Sequence, residues 1–174
     1  MPLIKNGAVV ADPYITVSDD AVMPESGPII VTAARLIADA AEILSRGAPV
    51  GVIWPNNKNV AELAPLLDRL AVVALVFPNF KDGRAYTQAR LLRERYGFRG
   101  ELRATGQVLR DQFVFLVRAG FDALEVSKAG DAEAFAPALA RYTVFYQTAG
   151  EGRISAARRR VARLMAAASS EAVF

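Results

Sequence analysis

The sequence predicts an α/β fold built on a mainly parallel sheet of βαβ units, with a β-hairpin at the N-terminus. Short apolar runs alternate with amphipathic segments along most of the chain. The starts of the predicted strands lie roughly 20–30 residues apart, which is the length of a βαβ unit. An Asn-Gly pair also separates two apolar runs near the start. An open sheet and a partial TIM-like barrel both satisfy this pattern, because the sequence does not show whether the sheet closes.

The N-terminal hairpin is the first predicted element. Asn6 and Gly7 separate the apolar runs Leu3–Lys5 and Ala8–Val10. Both central residues of a two-residue hairpin turn need positive φ, which Asn and Gly tolerate. Tyr14–Val17 predicts a third short strand. The acidic stretch that follows contains a proline and a glycine, which is typical of a loop.

The rest of the domain alternates strands with helices. Apolar runs typical of buried strands cover Val50–Trp54, Val72–Phe77, Glu101–Ala104, Ala123–Val126 and Thr143–Tyr146. Segments with helical spacing of apolar residues cover Ala33–Ser45, Asn59–Leu70, Gly83–Arg95, Val108–Ala119 and Ala132–Leu139. Thr32 and Asn59 stand where helix N-caps are expected. Pro65 lies inside the second predicted helix and weakens that prediction.

The length predicts one domain. Residues 1–149 are expected to form a single α/β domain with its hairpin, and residues 150–174 a basic C-terminal tail that is either helical or disordered. A basic amphipathic pattern over Ile154–Ala168 predicts the helix. No apolar stretch is long enough for a membrane span and none resembles a signal peptide, so a cytoplasmic protein without membrane contact is expected.

None of the 174 residues is Cys or His. This composition excludes a Ser-His-Asp triad, a thiol nucleophile, and the usual ligands of sirohaem, iron–sulfur clusters and zinc. Carboxylate-bound magnesium and an organic cofactor stay open, so the cofactor is unknown. The net charge is +3, and arginine greatly outnumbers lysine, which suits bidentate contact with anions.

Ligands of α/β folds bind beyond the carboxyl ends of the strands. The loops that leave those ends carry several cations, namely Lys58, Lys81, Arg84, Arg110 and Lys128. Asp82 and Asp111 are the acidic residues that oppose them. The predicted anion- or partner-binding residues are Lys81, Asp82, Arg84, Tyr86, Gln88 and Arg110, and we expect all of them except Gln88 to converge on one cleft. A well-specified strand-to-helix turn is the structural alternative. No catalytic residue and no metal ligand is assigned.

One long motif carries a family resemblance. The stretch Phe77–Arg93, continued by Tyr96–Ala104, Val108–Gln112 and Gly120–Ala123, resembles a bacterial domain-of-unknown-function family. That family is encoded beside the sulfite reductase haemoprotein, and its members are described as oxidoreductases of sulfite reduction. The resemblance covers residues 1 to about 147, includes the opening Leu3–Gly7, and leaves the basic tail unexplained.

The resemblance implies a role in sulfur assimilation, and two classes of function follow. In the first, the chain is an accessory protein of assimilatory sulfate/sulfite reduction. It docks through an arginine-rich face on the sulfite reductase haemoprotein or on a neighbouring sulfate-assimilation enzyme. In the second, it is an oxidoreductase that binds a flavin or nicotinamide at the strand carboxyl ends. The first is favoured because no glycine-rich phosphate loop is present. Nucleic acid is not expected as a partner, and a homo-oligomer stays open.

Overall fold

The computed structural model describes residues 1–128, 130–142, 144–146 and 155–171. Its strands are β1 (Leu3–Lys5), β2 (Ala8–Val10), β3 (Ile15–Val17), β4 (Ile29–Thr32), β5 (Val50–Trp54), β6 (Val72–Phe77), β7 (Glu101–Gly106) and β8 (Ala123–Glu125). Its α-helices are α1 (Ala33–Leu44), α2 (Arg84–Arg90), α3 (Phe113–Ala119), α4 (Asp131–Ala140) and α5 (Ala156–Glu171). Val60–Arg69 and Arg110–Gln112 are 3₁₀-helical, and the π-helical segment Leu91–Arg95 continues α2.

The strands of the described residues form one sheet in the order β2-β1-β8-β7-β6-β5-β4-β3. Strands β3 to β8 run parallel, and each pairs with the next one in the chain. β1 is antiparallel to both β2 and β8. The predicted mainly parallel α/β sheet is therefore confirmed, and the predicted hairpin forms its antiparallel edge.

A short connection makes the sheet curl. β2 and β3 are the outermost strands at opposite edges, yet only Ala11–Tyr14 joins them. A flat sheet of this many strands would place its edges about 34 Å apart, from spacings of about 4.8 Å. The extended chain from the end of β2 to the start of β3 reaches about 18 Å at most. The sheet is therefore open but strongly curled, and Ala11–Tyr14, which we call the strap, crosses its concave side.

The convex face of the sheet packs against the helices. On β6, Val73, Leu75 and Phe77 are each 0% exposed. Leu102 and Ala104 of β7 belong to the same apolar cluster. Burial of a large apolar side chain contributes about 1.5–3 kcal/mol, so this layer holds the helices on the sheet and fixes where each strand ends.

Local sequence signals set several element boundaries. Asn6 and Gly7 have φ values of 52° and 82°, as the hairpin turn requires. The Thr32 hydroxyl accepts from the N–H of the third residue of α1 at 3.2 Å and caps that helix. The segment predicted as an α-helix around Pro65 is instead the 3₁₀ helix Val60–Arg69, because proline lacks the N–H that an α-helix interior needs and its ring clashes with the preceding turn.

Two strand predictions differ from the structure. Ile29–Thr32 forms β4, although the sequence predicted only a cap at Thr32. Val144–Tyr146 forms no strand, because β1 occupies the edge of β8 where a further strand would pair. Thr143 lies outside the described residues, as does Ile154, the first residue of the helix predicted in the tail. In the part of the chain that is described, no helix is both long and apolar enough to cross a bilayer.

Candidate functional site

Side-chain hydrogen bonds join the loops at the carboxyl ends of β6, β7 and β8. Phe80, after β6, donates its N–H to Gln107 Oε1 at 3.3 Å and accepts from Gln112 Nε2 at 3.1 Å. The Arg110 guanidinium, after β7, pairs with Asp131 at the start of α4. Because ligands of open α/β sheets bind at this edge, these loops form the candidate site.

Asp82 and Arg84 form an ion pair at the entrance of α2. Arg84 Nε lies 3.0 Å from Asp82 Oδ1, and Arg84 Nη2 lies 2.6 Å from Asp82 Oδ2. The hydrogen bonds from Arg84 hold the pKa of Asp82 well below its usual range. This carboxylate occupies the guanidinium fork that an anion would use. Lys81 is exposed, and its Nζ lies 5.6 Å from the centre of the Phe80 ring.

Tyr86, in α2, packs against the end of β6. Its ring meets Phe77 edge-on, with centroids 5.1 Å apart. Burial raises the pKa of Tyr86 to about 12, although a hydrogen bond with Gln112 opposes the shift. The phenol is therefore neutral at physiological pH and does not serve as a base there.

Gln88 binds the loop after β5. Its Nε2 donates to the carbonyls of Pro55 and Lys58 at 3.1 and 2.8 Å, which fixes the orientation of the amide. Its Oε1 has no hydrogen-bond partner among the described residues, and the same holds for Trp54 Nε1, whereas the Asn56 side chain hydrogen-bonds the Asp82 carboxylate. Trp54, Asn56 and Gln88 are 0%, 8% and 6% exposed. Unpaired polar atoms at such burial are rare in native proteins.

The predicted site residues therefore divide into two neighbouring groups. Asp82 pairs with Arg84 and also lies beside Asn56, which places this pair next to the turn that Gln88 holds. Arg110 faces α4 instead, through its bond to Asp131. The binding role of Lys81, Asp82, Arg84, Tyr86, Gln88 and Arg110 stays a prediction.

A groove of about 570 Å³ lies between α3 and α4, beside Arg110. Phe115 and Tyr142 line it and are 61% and 56% exposed. Further apolar lining comes from Val114, Ala134, Pro137, Ala138 and Phe145. The charged lining residues are Arg110, Asp111, Arg118 and Arg141. This groove was not among the sites predicted from the sequence. The available signal is Phe115, which lies off the buried helix face that carries Phe113 and Leu116.

A second charged cluster lies on the concave side of the sheet. Arg103 is 1% exposed and contacts Asp12 of the strap, Glu101 at 2.9 Å and Glu125 at 3.3 Å. Thr105 Oγ1 donates to Glu125 Oε2 at 2.6 Å. Burial lowers the pKa of Arg103, but hydrogen bonds and charges of its acidic partners outweigh it and leave that pKa raised. The ion pair between Arg103 and Asp12 therefore fastens the strap to the sheet.

Many arginines serve the fold itself. Arg35 donates to the carbonyls of Ser18 and Ala21, and Arg46 to that of Pro24. Arg69 bonds to the Leu44 carbonyl. Arg93 donates to the carbonyls of Phe98, Gly100 and Gly120 and also pairs with Asp122. The arginine excess is therefore partly structural, and the groove and the carboxyl-end loops carry only a share of it.

Comparison with known sequences gives one family match. Residues 51–156 match the family described as "Bacterial protein of unknown function (DUF934)". The match covers β5 to β8, α2 to α4 and both groups of candidate site residues. No curated protein shows significant similarity to the chain. The chain therefore belongs to the bacterial DUF934 family.

Proposed function

We propose that this DUF934 protein is an accessory protein of assimilatory sulfate/sulfite reduction, which docks on sulfite reductase through the groove between α3 and α4. The observation that supports docking is Phe115, which is 61% exposed while Phe113 and Leu116 of the same helix are each 0% exposed. A large exposed aromatic side chain that joins other apolar residues in a groove is typical of a protein interface.

The charges of the groove indicate the chemistry of the partner. Arg110 is 53% exposed, Arg141 is exposed, and Arg118 stacks on Phe145 with its guanidinium carbon 4.1 Å from the ring centre. Asp111 is the acidic lining residue. Arginine and aromatic side chains are the residue types that contribute most binding energy at interfaces. The complementary surface is acidic and inserts an apolar side chain between α3 and α4.

The family resemblance supports sulfite reductase as that partner, with a neighbouring sulfate-assimilation enzyme as the second choice. The chain has no Cys and no His, so it lacks the usual protein ligands of sirohaem and iron–sulfur clusters. A protein of this composition fits a role beside the redox enzyme. The sequence predicts a docking face around Lys81 and Arg84. This proposal instead places the docking face beside the next loop, after β7, and Arg110 belongs to both faces.

The test measures binding of the full chain to the purified sulfite reductase haemoprotein of the same bacterium by calorimetry. Phe115→Ala should weaken the complex at least about 30-fold, the effect of losing an interface hot spot of about 2 kcal/mol. Ile37→Ala is the matched control, since Ile37 is 51% exposed on α1 and lies outside the groove. Equal binding by the two variants, or no complex with the haemoprotein, would overturn the proposal.

Charge reversal gives a second measurement. Arg141→Glu should slow association and remove much of its salt dependence, because interface cations steer an acidic partner. Arg99→Glu is the control, since Arg99 is also exposed but lies outside the groove. If both variants associate at the same rate, the groove is not the docking surface.

The oxidoreductase alternative is separated by the same purified protein. A flavin or nicotinamide that remains bound through purification and is released on denaturation would overturn a purely accessory role. Docking by a protein that releases neither cofactor supports it.

A further inference from the structure

We propose that the chain forms a dimer in which α5 of each copy binds the acidic surface around α1 of the other copy. Two exposed surfaces of opposite charge support this arrangement. One is α5 itself, and the other is built by α1 with the loop between β3 and β4. Neither is covered by the other described residues of the chain. A closed dimer with twofold symmetry is the commonest assembly of identical chains, and it occupies both surfaces in both copies.

α5 is a basic helix whose side chains lie exposed. The N–H of Ala156 donates to the Phe145 carbonyl at 2.7 Å, and every residue of Ala157–Arg163 is exposed. This stretch contains no acid, and its cations are Arg158, Arg159, Arg160 and Arg163. Within the described ranges, none of the four forms an ion pair. The charge of α5 is therefore available to another molecule.

Most of these arginines form a row on one side of α5. With 3.6 residues per turn, Arg159, Arg160 and Arg163 lie on one side, and Ala157 and Val161 lie on the opposite one. Arg159 and Arg163 are four residues apart and repel each other, so carboxylates from another surface would stabilise the helix. α5 has no aromatic residue, although helices on membranes and surfaces that bind single-stranded nucleic acid commonly use them. An acidic protein surface is therefore the favoured partner.

The same chain exposes such an acidic surface. Arg35 and Arg46 hold the loop between β3 and β4 against α1 by donating to its carbonyls. Residues 18–46 contain five acids and two arginines, so their net charge is −3. Four of the acids are exposed and have no ion pair in the described part of the chain, namely Asp20, Glu25, Asp39 and Glu42.

α1 carries an apolar stripe beside these carboxylates. The exposed apolar residues of the helix recur at helical spacing and are Ala34, Ile37, Ala38 and Ala41. Asp39 lies four residues after Arg35, so it is on the side of α1 that holds the loop. When α5 packs with its apolar side on this stripe, its arginine row faces the carboxylates. The axes of packed helices lie about 8–10 Å apart, a distance that the alanines of the stripe allow.

A second copy brings the two surfaces together. In the single chain, α5 does not lie on its own α1, since Val161 and Ile37 are each 51% exposed. Exchange of α5 between two copies covers both side chains. It also makes two identical contacts in one closed dimer, and the second contact forms at the high effective concentration that the first one creates.

The experiment measures the mass of the full chain by sedimentation equilibrium at low and at high salt. We expect a reversible dimer that weakens as salt rises, because salt screens exposed charges. One variant reverses the arginine row through Arg160→Glu and Arg163→Glu, and the other reverses the carboxylates through Asp39→Arg and Glu42→Arg. Each should weaken the dimer at least about 30-fold, because like charges then face each other.

An equimolar mixture of the two variants gives the decisive measurement. The mixture should form a dimer again, because each α5 then meets an α1 of opposite charge. The matched control reverses two exposed cations outside α5, through Arg95→Glu and Arg99→Glu. This control changes the net charge as much as the arginine-row variant does, and it should dimerise like the unmodified chain.

The proposal is overturned if the unmodified chain is a monomer at low salt, if the mixed variants stay monomeric, or if the control loses the dimer equally. A monomer that binds nucleic acid or anionic vesicles through the arginine row would assign α5 to that ligand instead. Phe115→Ala should leave the dimer unchanged, so failure of the docking proposal and failure of this one are distinguishable.

Discussion

Replacement of Arg103 by methionine tests whether charge holds the strap against the sheet. Arg103 is 1% exposed and its guanidinium meets Asp12, Glu101 and Glu125. Methionine keeps an unbranched side chain but leaves Asp12 and Glu125 without their cation, whereas Glu101 keeps its ion pair with Lys5 at 2.7 Å. Removal of one partner from a buried ion pair costs about 3–5 kcal/mol. Because Asp12 is 34% exposed, solvent screens part of its interaction, and we expect a loss near the lower end of that range.

Urea unfolding followed by Trp54 emission measures this loss, since Trp54 is the sole tryptophan and is 0% exposed. Arg99→Met is the control, because Arg99 is exposed and surface substitutions usually change stability by no more than about 0.5 kcal/mol. Adding Asp12→Asn to Arg103→Met should cost less than Asp12→Asn alone, since the two residues are in contact and their effects are not additive.

Acid provides an independent measurement of the same contact. Burial alone would raise the pKa of Asp12, but the hydrogen bonds from Arg103 and from the Tyr14 N–H, together with nearby positive charge, outweigh it and leave that pKa below its ordinary value of 3.8. A carboxyl group whose pKa is lowered by folding stabilises the folded state. This stabilisation is fully present above the pKa of the group in the unfolded chain, and it is lost as the pH falls through the pKa of the group in the folded chain. Arg103→Met should reduce this acid dependence. A variant as stable as Arg99→Met, or one with unchanged acid dependence, would refute the role of Arg103 in holding the strap.

Two further predictions concern Gly106, at the carboxyl end of β7, and Tyr86, in α2. Gly106→Ala should destabilise the fold more than Gly27→Ala in urea unfolding. Both glycines have positive φ, 93° and 89°, but a Cβ at Gly106 would lie 2.4 Å from the Phe77 carbonyl oxygen, whereas one at Gly27 meets nothing within 4 Å. Gly27→Ala should cost about 1–2 kcal/mol from strain alone, and equal costs would contradict the close contact. For Tyr86, the pKa of about 12 lies above its ordinary value of 10.0, so stability should fall as pH rises between these values. Tyr86→Phe should remove this loss of stability, which is measured as the change of the urea midpoint with pH. If the variant shows the same dependence on pH as the unmodified chain, other groups cause the loss.

The parallel strands and the hairpin could be predicted because their signals are local. Asn6-Gly7 fixes a turn through backbone conformation alone. The apolar run Val72–Phe77 has the composition of a strand covered on both faces. β4 could not be predicted, because Ile29–Thr32 is short and its last residue is also the N-cap of α1. Thr32 therefore belongs to a strand and to a helix cap, and the sequence pattern indicated only the cap.

The curl of the sheet could not be predicted, because it depends on contacts distant in the sequence. The strap reaches Arg103 across ninety-one positions of the chain. The alternation of Glu101 and Arg103 with apolar neighbours shows that one face of β7 is polar, but not that the strap covers it. Arginines such as Arg93 also look like surface cations in the sequence, whereas the structure uses them to bind loop carbonyls. A basic composition therefore did not locate the binding surface.

The residues around the turn after β5 also limit what chemistry this edge of the sheet performs. Trp54, Asn56 and Gln88 carry no group that titrates near neutral pH. Tyr86, with a pKa of about 12, does not supply a base either. With no histidine in the chain, none of these side chains supplies a general acid or base that titrates near neutral pH.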